Sequence, residues 1–189
     1  MAEDSIQQLL GDVGLPKDFL DQLLHESDWS MIIMLHALFE AVLTELVVKR
    51  LQTPSLQEAV GHLEFNHAKS GKVAFARAMD LVGAKEAAFL RGLSELRNDL
   101  VHDVRYIKFE LRSYVSQLDA RKRKQFKSVF GKSICALDNG EATYNRLLGT
   151  NPAHIILLAA YGCLITLKLN LSNAKRDLIV QALMKHIPK

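Results

Sequence analysis

The stretch that decides the fold is residues 29–51, which read WSMIIMLHALFEAVLTELVVKRL. Apolar residues occupy nearly the whole circumference of the helix that this stretch would form, which is typical of a helix at the centre of a bundle. Its one polar stripe consists of His36, Glu40 and Thr44, spaced i, i+4 and i+8. We therefore predict a central helix that is apolar on almost every side and carries one polar seam.

Segments with helical apolar spacing flank this helix on both sides. Gly (10) and Pro (4) are scarce and 49% of the 189 residues are hydrophobic, which favours helices and one sizeable core. We predict an all-α, single-domain helical bundle over residues 1–189, with no convincing strand. Its parts are a core at about 16–118, a basic helix and loop at 119–150, and a pair of C-terminal helices at 151–187. The other predicted helices lie at about 5–10, 16–26, 54–60, 73–82, 86–102, 106–118, 120–132, 152–169 and 172–186.

The sequence also suggests a cellular location. Cys135 and Cys163 lack CxxC spacing, which favours a reduced interior. The acidic N-terminus lacks the basic-then-apolar pattern of a signal peptide. Residues 31–48 are interrupted by polar side chains, and residues 155–169 fall short of the ~20 apolar residues that span a bilayer. We predict a cytoplasmic chain without membrane insertion.

Charge is unevenly distributed along the chain. Residues 1–100 carry 9 Lys/Arg and 15 Asp/Glu, whereas residues 101–189 carry 15 and 6, so the halves have net charges of −6 and +9. A basic half beside an acidic half favours a polyanionic partner more strongly than the overall charge of +3 does.

A second short stretch, LRNDLVH at residues 96–102, brings together residue types suited to chemistry at a phosphate. Histidine can act as acid or base because its unperturbed pKa is about 6.5. Arginine keeps a permanent charge and matches phosphate oxygens with a planar fork. Metal-free cleavage of RNA needs a base for the 2′-OH, a cation for the phosphate and an acid for the leaving oxygen. Arg97, Asn98 and His102 are therefore candidate catalytic residues.

The geometry of a regular helix limits how these three side chains can meet. Asn98 and His102 share a face at i, i+4, so Asn98 could hydrogen-bond His102 or the phosphate. Arg97 and His102 lie about 140° apart around the axis. They converge best if the helix loosens near Val101, or if they face a cleft from both sides.

The pattern Arg97-Asn98-x-x-x-His102 resembles the motif of the HEPN superfamily (higher eukaryotes and prokaryotes nucleotide-binding domain). In that motif an arginine, usually followed by Asn, Asp or His, precedes a histidine by four to six intervening residues. The resemblance implies an all-α bundle, often a homodimer whose motifs meet in a cleft at the interface. It further implies a metal-independent endoribonuclease from toxin–antitoxin, antiviral defence or RNA-processing systems, with an antitoxin or defence protein as a possible partner. In residues it covers only the motif.

Other clusters are weaker candidates. His36 and Glu40 could support the site, with Glu40 orienting a catalytic histidine, although a solvated seam is the simpler interpretation. The basic run suits an RNA backbone, and a solvated helix face explains it equally well. This run consists of Arg121, Lys122, Arg123, Lys124 and Lys127, with Phe126 and Phe130 interleaved. We find no convincing metal-ligand set and predict no cofactor.

Three functions therefore compete. The first is an RNA-cleaving HEPN protein. The second is a non-catalytic helical module for dimerisation or regulation that binds nucleic acid or a protein partner. The third is a DNA-binding regulator that uses the basic helix, although no helix-turn-helix pattern stands out.

Overall fold

The computed structural model describes residues 2–102 and 108–184, and every regular element in those ranges is helical. The predicted all-α class is thereby confirmed. The α-helices are α1 (Ala2–Asp12), α2 (Phe19–Gln22), α3 (Asp28–Leu51), α4 (Gln57–Gly61), α5 (Lys72–Ala78), α6 (Ala84–Val101), α7 (Leu111–Gln117), α8 (Ala120–Phe126), α9 (Lys132–Cys135), α10 (Gly140–Thr150) and α11 (Pro152–Met184). A π-helical segment, Lys127–Gly131, joins α8 to α9.

Helix α3 is the central helix that the sequence predicts. The Ser27 hydroxyl caps it by accepting a hydrogen bond from the Ser30 N–H at 3.1 Å. Twelve of its 24 residues are buried, and they cover more than half of its circumference, whereas Ala37 and Ala41 on the remaining face are exposed. Helices α1, α4, α5, α6 and α11 all pack against it. The burial of α3 therefore determines where the surrounding helices lie.

The predicted pair of C-terminal helices is wrong. Residues 152–184 form one helix, α11, which continues through the expected break near residue 170. The Asn170 side chain donates to the Leu81 carbonyl at 3.1 Å, and the Ser172 hydroxyl donates to the Lys168 carbonyl at 3.1 Å. The polar side chains are satisfied without a break, and Leu171 between them is buried. The predicted end at residues 185–187 lies outside the described residues.

Three further predicted boundaries, one of the core and two of helices or loops, also differ from the structure. The core is not confined to residues 16–118, because one continuous cluster includes Ile6 of α1, Phe130, Tyr144 and much of α11. The predicted loop before residue 150 contains α10, which begins after Asn139 in a left-handed conformation (φ 56°). The predicted helix at 106–118 is observed as α7 from residue 111, and positions 106 and 107 lie outside the described residues.

Among the described residues, two helices are long and apolar enough to span a membrane, by length and composition alone. They are Asp28–Leu51 and the first part of α11, Pro152–Ala174, with mean hydropathies of 2.0 and 1.8. Two thirds of the tested window of α3 is buried inside the protein, as expected for a core helix, whereas 44% of the second window is buried. The second helix therefore keeps more apolar surface exposed than the first.

Candidate functional site

The motif lies at the C-terminal end of α6, which matches the predicted helix within two residues at each end. The helix stays regular to its last residue, since the His102 N–H donates to the Asn98 carbonyl at 3.3 Å and His102 keeps helical angles (φ −83°, ψ −8°). The expected loosening near Val101 is not observed. Arg97 and His102 therefore leave the helix about 140° apart, and one copy of α6 does not bring them together.

The start of α3 holds the chain on both sides of residues 103–107. The Trp29 indole N–H donates to the Leu100 carbonyl at 3.4 Å, near the end of α6. The Asp28 carboxylate accepts from the Leu111 N–H at 2.7 Å, at the start of α7. These two contacts fix the position of the motif relative to the start of α3. Sequence patterns gave no sign of them, because each joins residues more than 70 positions apart.

Arg97 and Asn98 interact directly. The Arg97 guanidinium donates through Nη1 to the Asn98 Oδ1 at 3.1 Å. Arg97 is half-buried, whereas Asn98 and His102 are exposed on the neighbouring face of the helix. The contact draws the guanidinium towards the Asn98–His102 face. The exposed end of α6 therefore presents a cation, an amide and an imidazole to solvent.

On its other side Arg97 faces the polar seam of α3. His36 is only 7% exposed, and its ring lies on Phe65 with 4.4 Å between ring centroids. Burial lowers the pKa of His36 most, and the positive charge of Arg97 lowers it further. Glu40 acts in the opposite direction on this pKa, and Lys72 in the same direction as Arg97. His36 is therefore mainly neutral at pH 7 and stands next to the motif arginine.

Glu40 does not orient a histidine by a hydrogen bond. Its carboxylate accepts from the Lys72 ammonium at 2.9 Å, and Lys72 is only 1% exposed. Glu40 therefore forms its ion pair with Lys72, and no ion pair of Arg97 is found with a described carboxylate. Lys72 was missed by sequence reasoning, since it lies 32 residues from its partner and no local pattern links them.

The basic run is less free than its composition suggests. Arg123 donates to the Ser116 and Leu118 carbonyls at 2.9 and 3.1 Å, at the end of α7. Lys127 pairs with the Glu141 carboxylate at 2.5 Å. The interleaved Phe126 and Phe130 are buried and stack on each other in the core, with ring centroids 4.9 Å apart. These rings are therefore not available to stack on nucleic acid bases.

Three cations of the run, Arg121, Lys122 and Lys124, remain exposed on α8 without a described acidic partner. Of the three, Lys122 lines a groove of about 360 Å³ between α6 and α8, together with the acidic Glu95 and Asp99 of the motif helix. The basic helix and the motif helix are thus adjacent. They meet on the Asp99 side of α6 rather than on its Asn98 side.

Metal ligands and cysteine thiols are the other groups in the described part of the chain that could carry chemistry. No three His, Cys, Asp or Glu side chains in that part of the chain could hold a metal ion. Burial raises the pKa of Cys163 well above its usual value and also raises that of Cys135, so both thiols are protonated at neutral pH. The chemistry that the described site offers is therefore acid–base and electrostatic.

Replacement of Arg97 tests its proximity to His36. Arg97→Gln removes a positive charge that disfavours the imidazolium, so we expect the pKa of His36 to rise towards the ordinary histidine value. Arg91→Gln on the same helix is the control and should leave that pKa unchanged. The measurement is an NMR titration of the imidazole resonances. An unaltered pKa in Arg97→Gln would contradict the contact between α3 and the motif.

Comparison with known proteins finds no matching family model, no matching curated protein and no matching solved structure. The resemblance to the HEPN superfamily therefore depends on the motif itself, carried at the end of a helix in an all-α chain.

Proposed function

We propose that this chain is a metal-independent endoribonuclease of the HEPN type. One observation carries the proposal: the motif end of α6 exposes Asn98 and His102 beside Arg97, whose guanidinium donates to the Asn98 side-chain oxygen. A guanidinium offers a permanent charge and a planar fork to phosphate oxygens, and an imidazole can transfer protons, so this helix end combines the residue types that phosphate chemistry needs.

The reaction begins with the ribose 2′-OH of the substrate. A base removes its proton, and the oxygen attacks the adjacent phosphorus. The P–O5′ bond breaks, an acid protonates the leaving oxygen, and a 2′,3′-cyclic phosphate remains. In this scheme His102 transfers protons, Arg97 stabilises the negative charge on the phosphate oxygens, and Asn98 orients His102 or the phosphate. His36 is mainly neutral at pH 7 and so adds no second positive charge near Arg97.

A homodimer supplies the second proton-transfer group that a single chain lacks. One His102 can serve as base or as acid, whereas the reaction needs both at the same time. The regular end of α6 also keeps Arg97 and His102 apart within one subunit. Two motif helices placed side by side would offer two arginines and two histidines to one cleft. The exposed Val101 beside the motif, 39% accessible, gives such an interface some apolar surface.

RNA binding is proposed to extend beyond the motif. The cations Arg121, Lys122 and Lys124 are exposed on α8, Lys122 lines the groove next to α6, and all three suit the phosphate backbone. In keeping with the family resemblance, we propose a cytoplasmic role in a toxin–antitoxin or phage-defence system, with an antitoxin or defence protein as a possible further partner.

A second function is supported by the separation of Arg97 and His102. If two subunits do not bring these side chains together, the exposed end of α6 serves as a non-catalytic surface for dimerisation or regulation that binds nucleic acid or a protein. The two functions predict different effects of losing Arg97 or His102. If the site is catalytic, RNA cleavage is lost, whereas if it is a non-catalytic surface, only binding changes.

Purified protein is expected to cut single-stranded RNA in the presence of EDTA. His102→Ala and Arg97→Ala should each lower the rate by about 10² to 10⁴, because they remove proton transfer or charge stabilisation. His62→Ala and Arg146→Ala remove an exposed histidine and an exposed arginine elsewhere and should retain activity. Thermal melting of all four variants should stay near that of the wild type. Equal rates in the wild type and His102→Ala would refute the catalytic assignment.

The dimer is tested by dilution and by mixing. Sedimentation at micromolar concentration should show a homodimer, and activity per chain should fall as dilution separates the subunits. Mixing Arg97→Ala with His102→Ala subunits should restore part of the activity if one arginine and one histidine from opposite subunits suffice. A monomer whose rate is linear in enzyme concentration would contradict the shared cleft.

A further inference from the structure

A pocket of about 390 Å³ lies beside the motif, between the loop before α5 and the outer faces of α5 and α6. Its polar lining consists of Asn66 and His67 from the loop, Arg77 from α5 and Arg91 from α6. The remaining lining residues are two alanines and a valine. No sequence pattern singled out this pocket, because its polar residues come from three separate segments.

The charged side chains that line the pocket are all positive. Arg77 and Arg91 are its two permanent charges, and no acidic side chain lines it. Within the described part of the chain, neither arginine pairs with a carboxylate. Two guanidinium groups from different helices that share one concave site match the oxygens of a phosphate group. The pocket is therefore complementary to an anion.

The loop wall of the pocket is held rigidly. The Lys72 and Val73 N–H groups at the start of α5 donate to the Glu64 and Phe65 carbonyls at 2.8 and 3.1 Å. A Cβ at Gly71 would meet the backbone nitrogen of His67 at 2.5 Å, so a larger residue does not fit there. These contacts fix the loop against α5 without any ligand. The pocket is consequently preformed, which lowers the entropic cost of binding.

The hydrogen bond with Ser70 determines which ring nitrogen of His67 carries a proton. Its Nδ1 accepts a hydrogen bond from the Ser70 N–H at 3.2 Å. In the neutral ring the proton therefore lies on Nε2, which leaves an N–H for an anion. Asn66 adds an amide that can also donate. The pocket thus combines two fixed charges with neutral donors.

The pocket is aligned with the motif. On α6, Arg91, Asn98 and His102 are spaced i, i+7 and i+11 and are all exposed, so they form one stripe along the helix, which also carries the exposed Glu95 one turn after Arg91. Seven residues correspond to about 10.5 Å along the axis. The pocket also adjoins the polar seam, because Phe65 under His36 precedes Asn66 and Lys72 precedes Val73 of the pocket wall. An extended polyanion lying along α6 could reach both places.

We infer that this pocket binds a backbone phosphate of single-stranded RNA near the phosphate that is cleaved at the motif. The inference rests on the proposed function for its choice of ligand. Arg77 and Arg91 grip the phosphate, and the RNA runs along the exposed stripe of α6 towards Asn98 and His102. The pocket therefore fixes the position of the strand and takes no part in the chemistry.

The test measures binding in the full-length chain carrying His102→Ala, so that bound RNA stays intact. Fluorescence anisotropy of a labelled oligouridylate gives the affinity at several salt concentrations. Adding Arg77→Gln and Arg91→Gln should weaken binding about tenfold. It should also reduce the slope of log K against log salt by about 0.7, the value for one lost phosphate contact on a single strand. The charge-matched control, Lys17→Gln with Arg146→Gln, removes two exposed cations outside the pocket and should change neither quantity.

Several outcomes would overturn the inference. These are an equal loss of affinity in both double variants, which would indicate general charge attraction only, and an absence of RNA binding by the starting protein. A third arm follows thermal melting with inorganic phosphate. Stabilisation that depends on Arg77 and Arg91, combined with unchanged RNA affinity, would assign the pocket to free phosphate instead. If the pocket variant loses affinity but the wild type cuts no RNA, the phosphate site stands and the nuclease proposal fails.

Discussion

The structure depends on a constraint set by α3, which is largely buried yet carries three polar residues in one seam. A buried polar group without a partner costs a few kcal/mol, and the cost is greatest for the charge of Lys72, which is 1% exposed beside the seam. The Thr44 hydroxyl donates back to the Glu40 carbonyl at 2.9 Å. Glu40 binds the buried Lys72, and His36 stacks on Phe65. Satisfying this seam places α5 and the loop before it next to α6.

This arrangement connects the core to the proposed chemistry. The Glu40 carboxylate of the seam binds Lys72, and the mainly neutral His36 adds no second positive charge near Arg97. Arg97 itself is half-buried at the point where α6 reaches solvent. The same placement of α5 creates the arginine pocket one face away. The positions of both proposed phosphate sites thus depend on how the helices pack around α3.

Local sequence patterns predicted what depends on local spacing. The apolar circumference of α3 and the amphipathic run of α6 gave both helices nearly to the residue, and the roles of Arg97, Asn98 and His102 in the motif stay a prediction. Local patterns could not predict contacts between residues that lie far apart in the sequence, such as Lys72 with Glu40 or Trp29 with Leu100. The polar residues near position 170 suggested a break in α11, yet Asn170 bonds Leu81 from an unbroken helix. Phe126 looked like part of a nucleic-acid surface because burial cannot be read from a short basic run.

The central claim is that RNA supplies its own nucleophile at the Arg97–His102 site. The most direct measurement uses an oligoribonucleotide that the protein cuts at one position, together with the same oligomer bearing a single 2′-deoxy nucleotide on the 5′ side of that bond. Mass spectrometry of the products in EDTA should show a 2′,3′-cyclic phosphate from the first oligomer and no cleavage at that bond in the second. Cleavage of the deoxy-substituted bond at an undiminished rate would contradict the account.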